Sequence, residues 1–199
     1  MNDNDPLASA PPAPPAPRLL VIPGLSDSPP EHWQSWLEAR HPGAVRVVQR
    51  DWANADLERW ATRIASVLSR SGPGPWLAVA HSFGVLALVR HLRLQPDSPV
   101  AAALLVAPAD PDKFGLGEQL SQRLPVPSTL VLSSTDPWMA LPRGQRWAQR
   151  WGSACVQLGE AGHINIPSGH RTLPLAEHWL LAQTRRLVHP EPVDAALAA

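Results

Sequence analysis

Residues 76–89 read WLAVAHSFGVLALV, an apolar run interrupted only by a His-Ser pair and a glycine. Residues 76–80 predict a buried strand, and a helix follows directly from Ser82 to about Leu94. Ala80 and Gly84 are both small, as a sharp strand-to-helix turn around a central serine requires. This pattern predicts a turn that pushes the Ser82 hydroxyl out over the end of a sheet, where it can act as a nucleophile. The alternative is that Ser82 only caps the helix.

Short apolar strands and longer helices alternate on both sides of this stretch. Strands are predicted at 19–22, 45–49, 76–80, 101–106, 129–133 and 154–158, and helices at 31–39, 56–69, 82–94, 143–151 and 175–187. The strands are apolar throughout, which is typical of strands covered on both faces. Six strands with helical crossovers predict an α/β fold, a parallel sheet with helices on both faces. In such folds ligands bind outside the carboxyl ends of the strands.

The loops after the fifth and sixth strands carry the two side chains that a serine nucleophile needs. A histidine must take the serine proton, and a carboxylate must orient that histidine. Asp136 lies in Ser-Ser-Thr-Asp-Pro after the fifth strand, and His163 lies in Gly-His-Ile-Asn after the sixth. The chain order Ser, Asp, His is the order found in enzymes whose nucleophile lies on such a strand-to-helix turn. We therefore expect Ser82, His163 and Asp136 to form a catalytic triad.

Other residues compete for these roles. Asp110, after the fourth strand, could be the acid, and His170 lies close behind His163 but near the last helix. His81 should point away from Ser82 and is interpreted as a structural neighbour. The remaining histidines lie on helices or at their ends, where we expect them to be solvated: His32, His41, His91, His178 and His189.

Acyl transfer also needs two N–H donors for the oxygen that becomes negative. The N–H of Phe83, directly after the nucleophile, should be one, and the N–H of Leu25, after the first strand, should be the other. Nine tryptophans are many for 199 residues. Trp33, Trp36, Trp138 and also Trp52 follow strand ends, so they are candidates for an apolar substrate pocket; ordinary packing is the alternative.

Composition argues against several other classes of function. Basic and acidic residues number 17 each, so no positive excess favours nucleic acid or anionic lipid. We find no metal-ligand motif and no Gly-rich phosphate loop, and we expect no cofactor. The single cysteine, Cys155, cannot form an internal disulfide. It is interpreted as a buried strand thiol rather than a nucleophile.

The two ends of the chain differ from its middle. Residues 1–17 are rich in Pro and Ala, and lack the basic start and apolar core of a secretory signal. We expect a disordered tail there, one folded domain over residues 18–189 and a flexible tail over residues 190–199. No stretch is apolar enough to span a membrane, which predicts a cytoplasmic protein.

Five short stretches together resemble the retinoblastoma-binding serine hydrolase family, which includes bacterial YdeN-like members. They are VIPGL at 21–25, EHWQSW at 31–36, AHSFG at 80–84, SSTDP at 133–137 and GHIN at 162–165. The resemblance covers about residues 18–187. It implies a compact α/β-hydrolase with a six-stranded parallel sheet, little or no lid, and a triad of Ser82, Asp136 and His163. A retinoblastoma-type partner is not implied, because no Leu-x-Cys-x-Glu peptide is present.

The sequence therefore predicts a carboxylesterase-like serine hydrolase that acts on small carboxylic esters through an acyl-enzyme intermediate. A peptidase, a thioesterase or an acyltransferase would use the same triad, and the sequence does not separate these activities. A binding protein on a hydrolase scaffold is the alternative from another class. The expected partner is a small-molecule ester or acyl substrate.

Overall fold

The computed structural model describes residues 15–189 of the chain. Within this range the elements are β1 (Arg18–Ile22), α1 (Trp33–Arg40), β2 (Val45–Arg46), α2 (Leu57–Arg70), β3 (Trp76–Ser82), α3 (Phe83–Leu94), β4 (Val100–Pro108), β5 (Ser128–Leu132), α4 (Leu141–Trp151), β6 (Ala154–Gln157) and α5 (Pro174–Val188). Two 3₁₀ helices, Pro111–Phe114 and Ile166–Ser168, were not predicted. Residues 1–14 and 190–199 of the two predicted tails lie outside the described residues.

The strands form one sheet in the order β2-β1-β3-β4-β5-β6. Every pairing is parallel, so the carboxyl ends of all six strands lie along one edge. β3 lies between β1 and β4, which places Ser82 near the middle of that edge. The predicted α/β fold with a six-stranded parallel sheet is confirmed.

Helices cover both faces of the sheet because alternate strand residues point to opposite sides. In β3, Ala78 and Ala80 belong to a buried cluster with residues of α2, α3 and α4. Leu77 and Val79 of the same strand face a second cluster with residues of α1 and α5. Among the described residues, no helix combines the length and apolar character needed to cross a bilayer.

The edge strands differ from the prediction. β2 has only two residues instead of the predicted five. β6 is the outermost strand at the other edge, and three of its four residues are exposed. Cys155 lies on β6 and is exposed, so its interpretation as a buried thiol was wrong. An apolar composition predicts a strand but does not indicate whether helices will cover it.

Two of the histidines that were expected to be solvated are buried. His32 is 4% exposed at the start of α1, and His91 is 2% exposed on α3. His32 accepts the N–H of Gln34 on its Nδ1 atom and so caps the helix. His91 forms a hydrogen bond with the Ser98 hydroxyl. Each buried ring therefore has one partner that is close in sequence.

Candidate active site

Ser82 lies at a sharp junction where β3 passes into α3 without an intervening loop. Its backbone has φ 53° and ψ −124°, a combination that non-glycine residues rarely adopt. The side chain of Ser82 makes no capping hydrogen bond to the helix. The alternative interpretation of Ser82 as a simple helix cap is therefore wrong, and its hydroxyl is directed to a partner outside the helix.

That partner is His163, which in turn contacts Asp136. His163 Nε2 lies 3.0 Å from Ser82 Oγ, and His163 Nδ1 lies 3.0 Å and 2.9 Å from the two carboxylate oxygens of Asp136. Because an ionised carboxylate only accepts, Nδ1 carries the ring proton and Nε2 is free to accept from the serine hydroxyl. The three predicted residues thus form one continuous line of hydrogen bonds.

The loops that carry Asp136 and His163 are bound to each other by two hydroxyl groups. Ser133 is 1% exposed, and its Oγ accepts the Ala161 N–H at 3.0 Å and donates to the Gly159 carbonyl at 3.2 Å. Thr135 Oγ1 accepts the Gly162 N–H at 3.0 Å. These bonds fix the position of the acid relative to the base.

The Asp136 carboxylate is itself held in place. Its side chain is 2% exposed, and its Oδ1 atom accepts the backbone N–H of Trp138 at 2.9 Å. This bond and the two contacts with His163 Nδ1 hold the carboxylate where it accepts from the imidazole ring.

The backbone around Gly24 approaches the serine closely. A Cβ atom at residue 24 would stand 2.7 Å from Ser82 Cβ and 3.3 Å from Ser82 Oγ. Leu25 follows directly, and its N–H has no acceptor among the residues that the structure describes. Phe83 is the first residue of α3, where helix geometry leaves the N–H without an intrahelical acceptor. Both predicted oxyanion donors therefore belong to backbone next to Ser82.

Gly84 is required for a reason that differs from the predicted one. We expected its small size to prevent a collision within the turn. A Cβ atom at residue 84 would instead meet the Pro23 carbonyl oxygen and stand 2.6 Å from the Ile22 carbonyl oxygen. Gly84 thus allows α3 to lie directly against the chain that leaves β1.

The loop after β1 is fixed by two side chains that the sequence analysis did not single out. Gln34 is fully buried; its Nε2 atom donates to the carbonyls of Ile22 and Val79, and its Oε1 atom accepts from the Ser28 hydroxyl. Arg46 donates to Asp27 Oδ1 at 2.9 Å and to the Ser28 carbonyl at 2.8 Å. A glutamine between two tryptophans of a predicted helix and an arginine within a predicted strand were the signals available in the sequence.

The tryptophans predicted to line a pocket have different surroundings. Trp33 is fully buried and donates its indole N–H to the Ile164 carbonyl at 2.8 Å. Trp36 packs on the α1 and α5 face, with the Arg40 guanidinium 5.2 Å from its ring. The pocket assignment is wrong for Trp33, because a side chain without exposed surface cannot line a cleft. Trp52, the other candidate, packs edge-on against Trp60 at 5.7 Å.

Trp138 is the one predicted pocket residue whose ring lies open beside the site. It is 58% exposed, and its ring centre lies 6.5 Å from that of His163. Phe114, which the sequence analysis missed, is 39% exposed and lies 5.1 Å from the Phe83 ring. Lys113 donates to the Trp138 carbonyl at 2.9 Å and so joins the two loops that carry these rings.

The competing acid and base do not contact Ser82 or His163 in this way. Asp110 is 2% exposed, pairs with Arg143 at 2.7 Å and accepts the Asp112 N–H. His170 is half-buried, and its ring makes no hydrogen bond to Ser82 or Asp136. Neither residue is part of the hydrogen-bonded line. Within residues 15–189, no group of three metal-ligating side chains is assembled.

The chain is similar to known serine hydrolases over most of its length. The family model for serine hydrolases matches residues 19–182. A crystal structure described as a YdeN-like hydrolase of Pectobacterium atrosepticum is 37% identical, with a TM-score of 0.81 over 86% of this chain and 93% of that chain. The ydeN gene product of B. subtilis is 20% identical, with a TM-score of 0.70 over 83% of this chain and 97% of its own.

A more distant similarity extends to an esterase of the planctomycete Thermogutta terrifontis. That chain is 16% identical, with a TM-score of 0.59 over 92% of this chain and 88% of its own. At this identity the likeness concerns the fold alone. A search among proteins with curated descriptions finds no match.

Proposed function

The chain belongs to the serine hydrolase family, as a YdeN-like α/β-hydrolase, and from this membership we propose that it hydrolyses small carboxylic esters with Ser82 as nucleophile. The observation that supports this proposal most strongly is the line of hydrogen bonds from Ser82 Oγ through the His163 ring to the Asp136 carboxylate. A serine hydroxyl reacts poorly with esters until a base in contact with it removes its proton.

The proposed reaction has two halves. In the first, Ser82 Oγ attacks the acyl carbon while His163 Nε2 takes its proton, and the ester C–O bond then breaks as His163 returns that proton to the leaving alcohol. In the second half, water attacks the acyl-enzyme; His163 takes a proton from the water and returns it to Ser82 as the acid leaves. Asp136 orients the imidazole throughout.

Two backbone N–H groups would stabilise the negative oxygen that forms in both halves. We assign this role to the N–H groups of Leu25 and Phe83. Leu25 follows Gly24, whose backbone lies against Ser82, and Phe83 directly follows Ser82 in the chain. The start of α3 adds the positive end of a helix dipole at the same place. Each donor of this kind contributes about 10²–10³ in rate.

The exposed rings of Phe114 and Trp138 are our candidates for contact with the substrate. They come from the loops after β4 and β5, and each packs against a residue of the site, Phe83 and His163 respectively. Apolar surface in this position favours an ester with apolar acyl or alcohol groups. Small apolar esters are therefore favoured over charged substrates.

The proposal can be tested with p-nitrophenyl butyrate and a fluorophosphonate probe. The wild-type protein should turn over the ester and become labelled, whereas Ser82→Ala should lose labelling and about 10⁴-fold or more of kcat/KM. Ser69→Ala is a matched control, because Ser69 is exposed in the last turn of α2, which leads into the end of β3 opposite Ser82. Labelling that persists in Ser82→Ala would refute the assignment of the nucleophile.

The same assay separates the thioesterase, peptidase and binding alternatives. A butyryl thioester and a butyryl p-nitroanilide carry the same acyl group as p-nitrophenyl butyrate with different leaving groups. Comparing kcat/KM for each of them with the value for the ester distinguishes thioesterase and amidase activity from esterase activity. A folded wild-type protein that neither labels nor turns over any of them would favour a binding role.

A further inference from the structure

The loop that carries His163 has a costly backbone conformation. Ile164, the next residue, has φ +48°, which is a rare value for a β-branched side chain. Gly162, the preceding residue, has φ +54°, and a Cβ atom there would stand 2.5 Å from Ser168 Cβ. Such a conformation persists only where surrounding contacts hold it.

Two buried rings contact this loop at consecutive carbonyl groups. His81 Nε2 lies 3.0 Å from the His163 carbonyl oxygen, and Trp33 Nε1 lies 2.8 Å from the Ile164 carbonyl oxygen. A carbonyl only accepts, so both ring nitrogens donate. The two rings also touch each other edge to face, with centres 6.0 Å apart. We call this pair, Trp33 and His81, the ring clamp.

We propose that the ring clamp positions the general base: by holding the carbonyls of residues 163 and 164, it keeps the His163 imidazole in line between Ser82 and Asp136. This inference rests on the proposed function. Trp33 and His81 do not belong to the hydrogen-bonded line of Ser82, His163 and Asp136. They act through the loop and not on the substrate.

The surroundings of the clamp suit a neutral donor. His81 is 6% exposed and packs between the rings of His32, at 5.1 Å, and His163, at 4.9 Å. Burial, with the nearby His163 and His32 rings, keeps the pKa of His81 well below its usual value. His81 therefore remains neutral when His163 takes up a proton during the reaction, and its single N–H stays on the loop carbonyl.

A matched pair of tryptophan variants tests the clamp. Trp33→Phe removes one buried indole N–H bond to a carbonyl, and Trp151→Phe removes a bond of the same kind, from Trp151 to the Leu120 carbonyl on the far side of the fold. Both should lower the melting temperature. Only Trp33→Phe should lower kcat for p-nitrophenyl butyrate, by about 10- to 100-fold with little change in KM, since a small misplacement of a catalytic group has effects of this size.

The donor at residue 81 can be tested by a second pair. His81→Gln keeps an N–H donor at nearly the same reach and should retain much of the wild-type kcat. His81→Met has a similar length without a donor and should lose kcat to the same extent as Trp33→Phe. Equal kcat values for His81→Gln and His81→Met would contradict the proposal.

A readout that does not depend on turnover distinguishes failure of the clamp from failure of the proposed function. The proton between His163 Nδ1 and Asp136 should give a low-field ¹H NMR signal in the wild type, and His163→Gln identifies it by removing it. The signal should persist in Trp151→Phe and His81→Gln, and shift or broaden in Trp33→Phe and His81→Met. An unchanged signal in Trp33→Phe and His81→Met overturns the ring clamp, whatever the protein hydrolyses.

Discussion

The close contact between Gly24 and Ser82 means that the Gly24→Ala variant, which adds one methyl group, tests how precisely the nucleophile must be positioned. A Cβ atom at residue 24 would stand 2.7 Å from Ser82 Cβ, much closer than two packed carbons. Gly24→Ala must therefore move either the serine or the loop that carries the Leu25 N–H. We expect kcat/KM for p-nitrophenyl butyrate to fall by about 10²-fold, a typical effect of a displacement near 1 Å.

A second glycine provides the control for this variant. Gly43 has φ +90° and open space around it, so Gly43→Ala should cost about 1 kcal/mol of stability through backbone strain alone and leave kcat/KM unchanged. Wild-type activity in Gly24→Ala would show that the loop after β1 can move aside freely.

At the scale of elements, one buried serine begins β5 and another directly follows it, and substitutions of the two are expected to have different effects. Ser133 follows the carboxyl end and bonds to Ala161 and Gly159 of the base loop. Ser128 begins the strand and bonds to Ser153 at 2.7 Å. Ser133→Ala should cost about 1–3 kcal/mol, because the buried Ala161 N–H loses its acceptor. Ser128→Ala should cost about 0.5–1.5 kcal/mol, because its partner Ser153 is only half-buried.

Only the change at the carboxyl end should also affect catalysis. Ser133→Ala removes two of the three hydroxyl-group bonds between the Asp136 loop and the His163 loop and should lower kcat by about tenfold, whereas Ser128→Ala should leave kcat unchanged. The unfolding free energy from urea titration and kcat from the ester assay measure the two effects separately. Equal kcat values in these variants would show that the two loops do not position each other.

The elements also show which parts of the site the sequence could predict. Ser82, Asp136 and His163 each follow a strand, and the parallel topology brings strand ends together, so local patterns were sufficient to group them. The ring clamp could not be found in this way. Its bonds join residues separated by 82 and 131 positions, and they end on backbone carbonyls, which leave no trace in the sequence.

At the scale of the whole molecule, buried histidines make stability depend on pH. Burial lowers the pKa of His91 to about 4, while the unfolded side chain binds its proton near pH 6.5. Between these values the unfolded state binds more protons, so stability rises with pH and is lost as the pH falls from about 6.5 to about 4. The loss should approach about 1.4 kcal/mol per pH unit for each such group.

Urea unfolding at pH 7 and pH 5 tests this prediction. His91→Gln should reduce the difference in unfolding free energy between the two pH values, because it removes a buried ring whose Nδ1 atom has no partner among the described residues. His178→Gln changes an exposed histidine on α5 and should leave the difference as it is in the wild type. Equal pH dependence in both variants would contradict a role for His91.

At this scale, the sequence did not indicate which strands lie at the edges of the sheet and stay exposed. Six apolar strands predicted the α/β fold, and the fold is confirmed, but the strand order was not predicted. β6 lies at one edge in that order, and Cys155 is therefore exposed in spite of its apolar neighbours. The buried positions of His32 and His91 depend likewise on helix packing that no local pattern specifies.

The close approach of Gly84 to the carbonyls of Ile22 and Pro23 has a consequence for protein engineering. The nucleophile turn and the loop after β1 contact each other through backbone atoms. Any side chain larger than hydrogen at residues 24 and 84 would therefore displace these atoms, so substitutions there cannot adjust substrate specificity in small steps. Phe114 and Trp138 lie on separate loops and project exposed rings. A mutant library aimed at a new ester should therefore randomise these two aromatic positions and keep both glycines fixed.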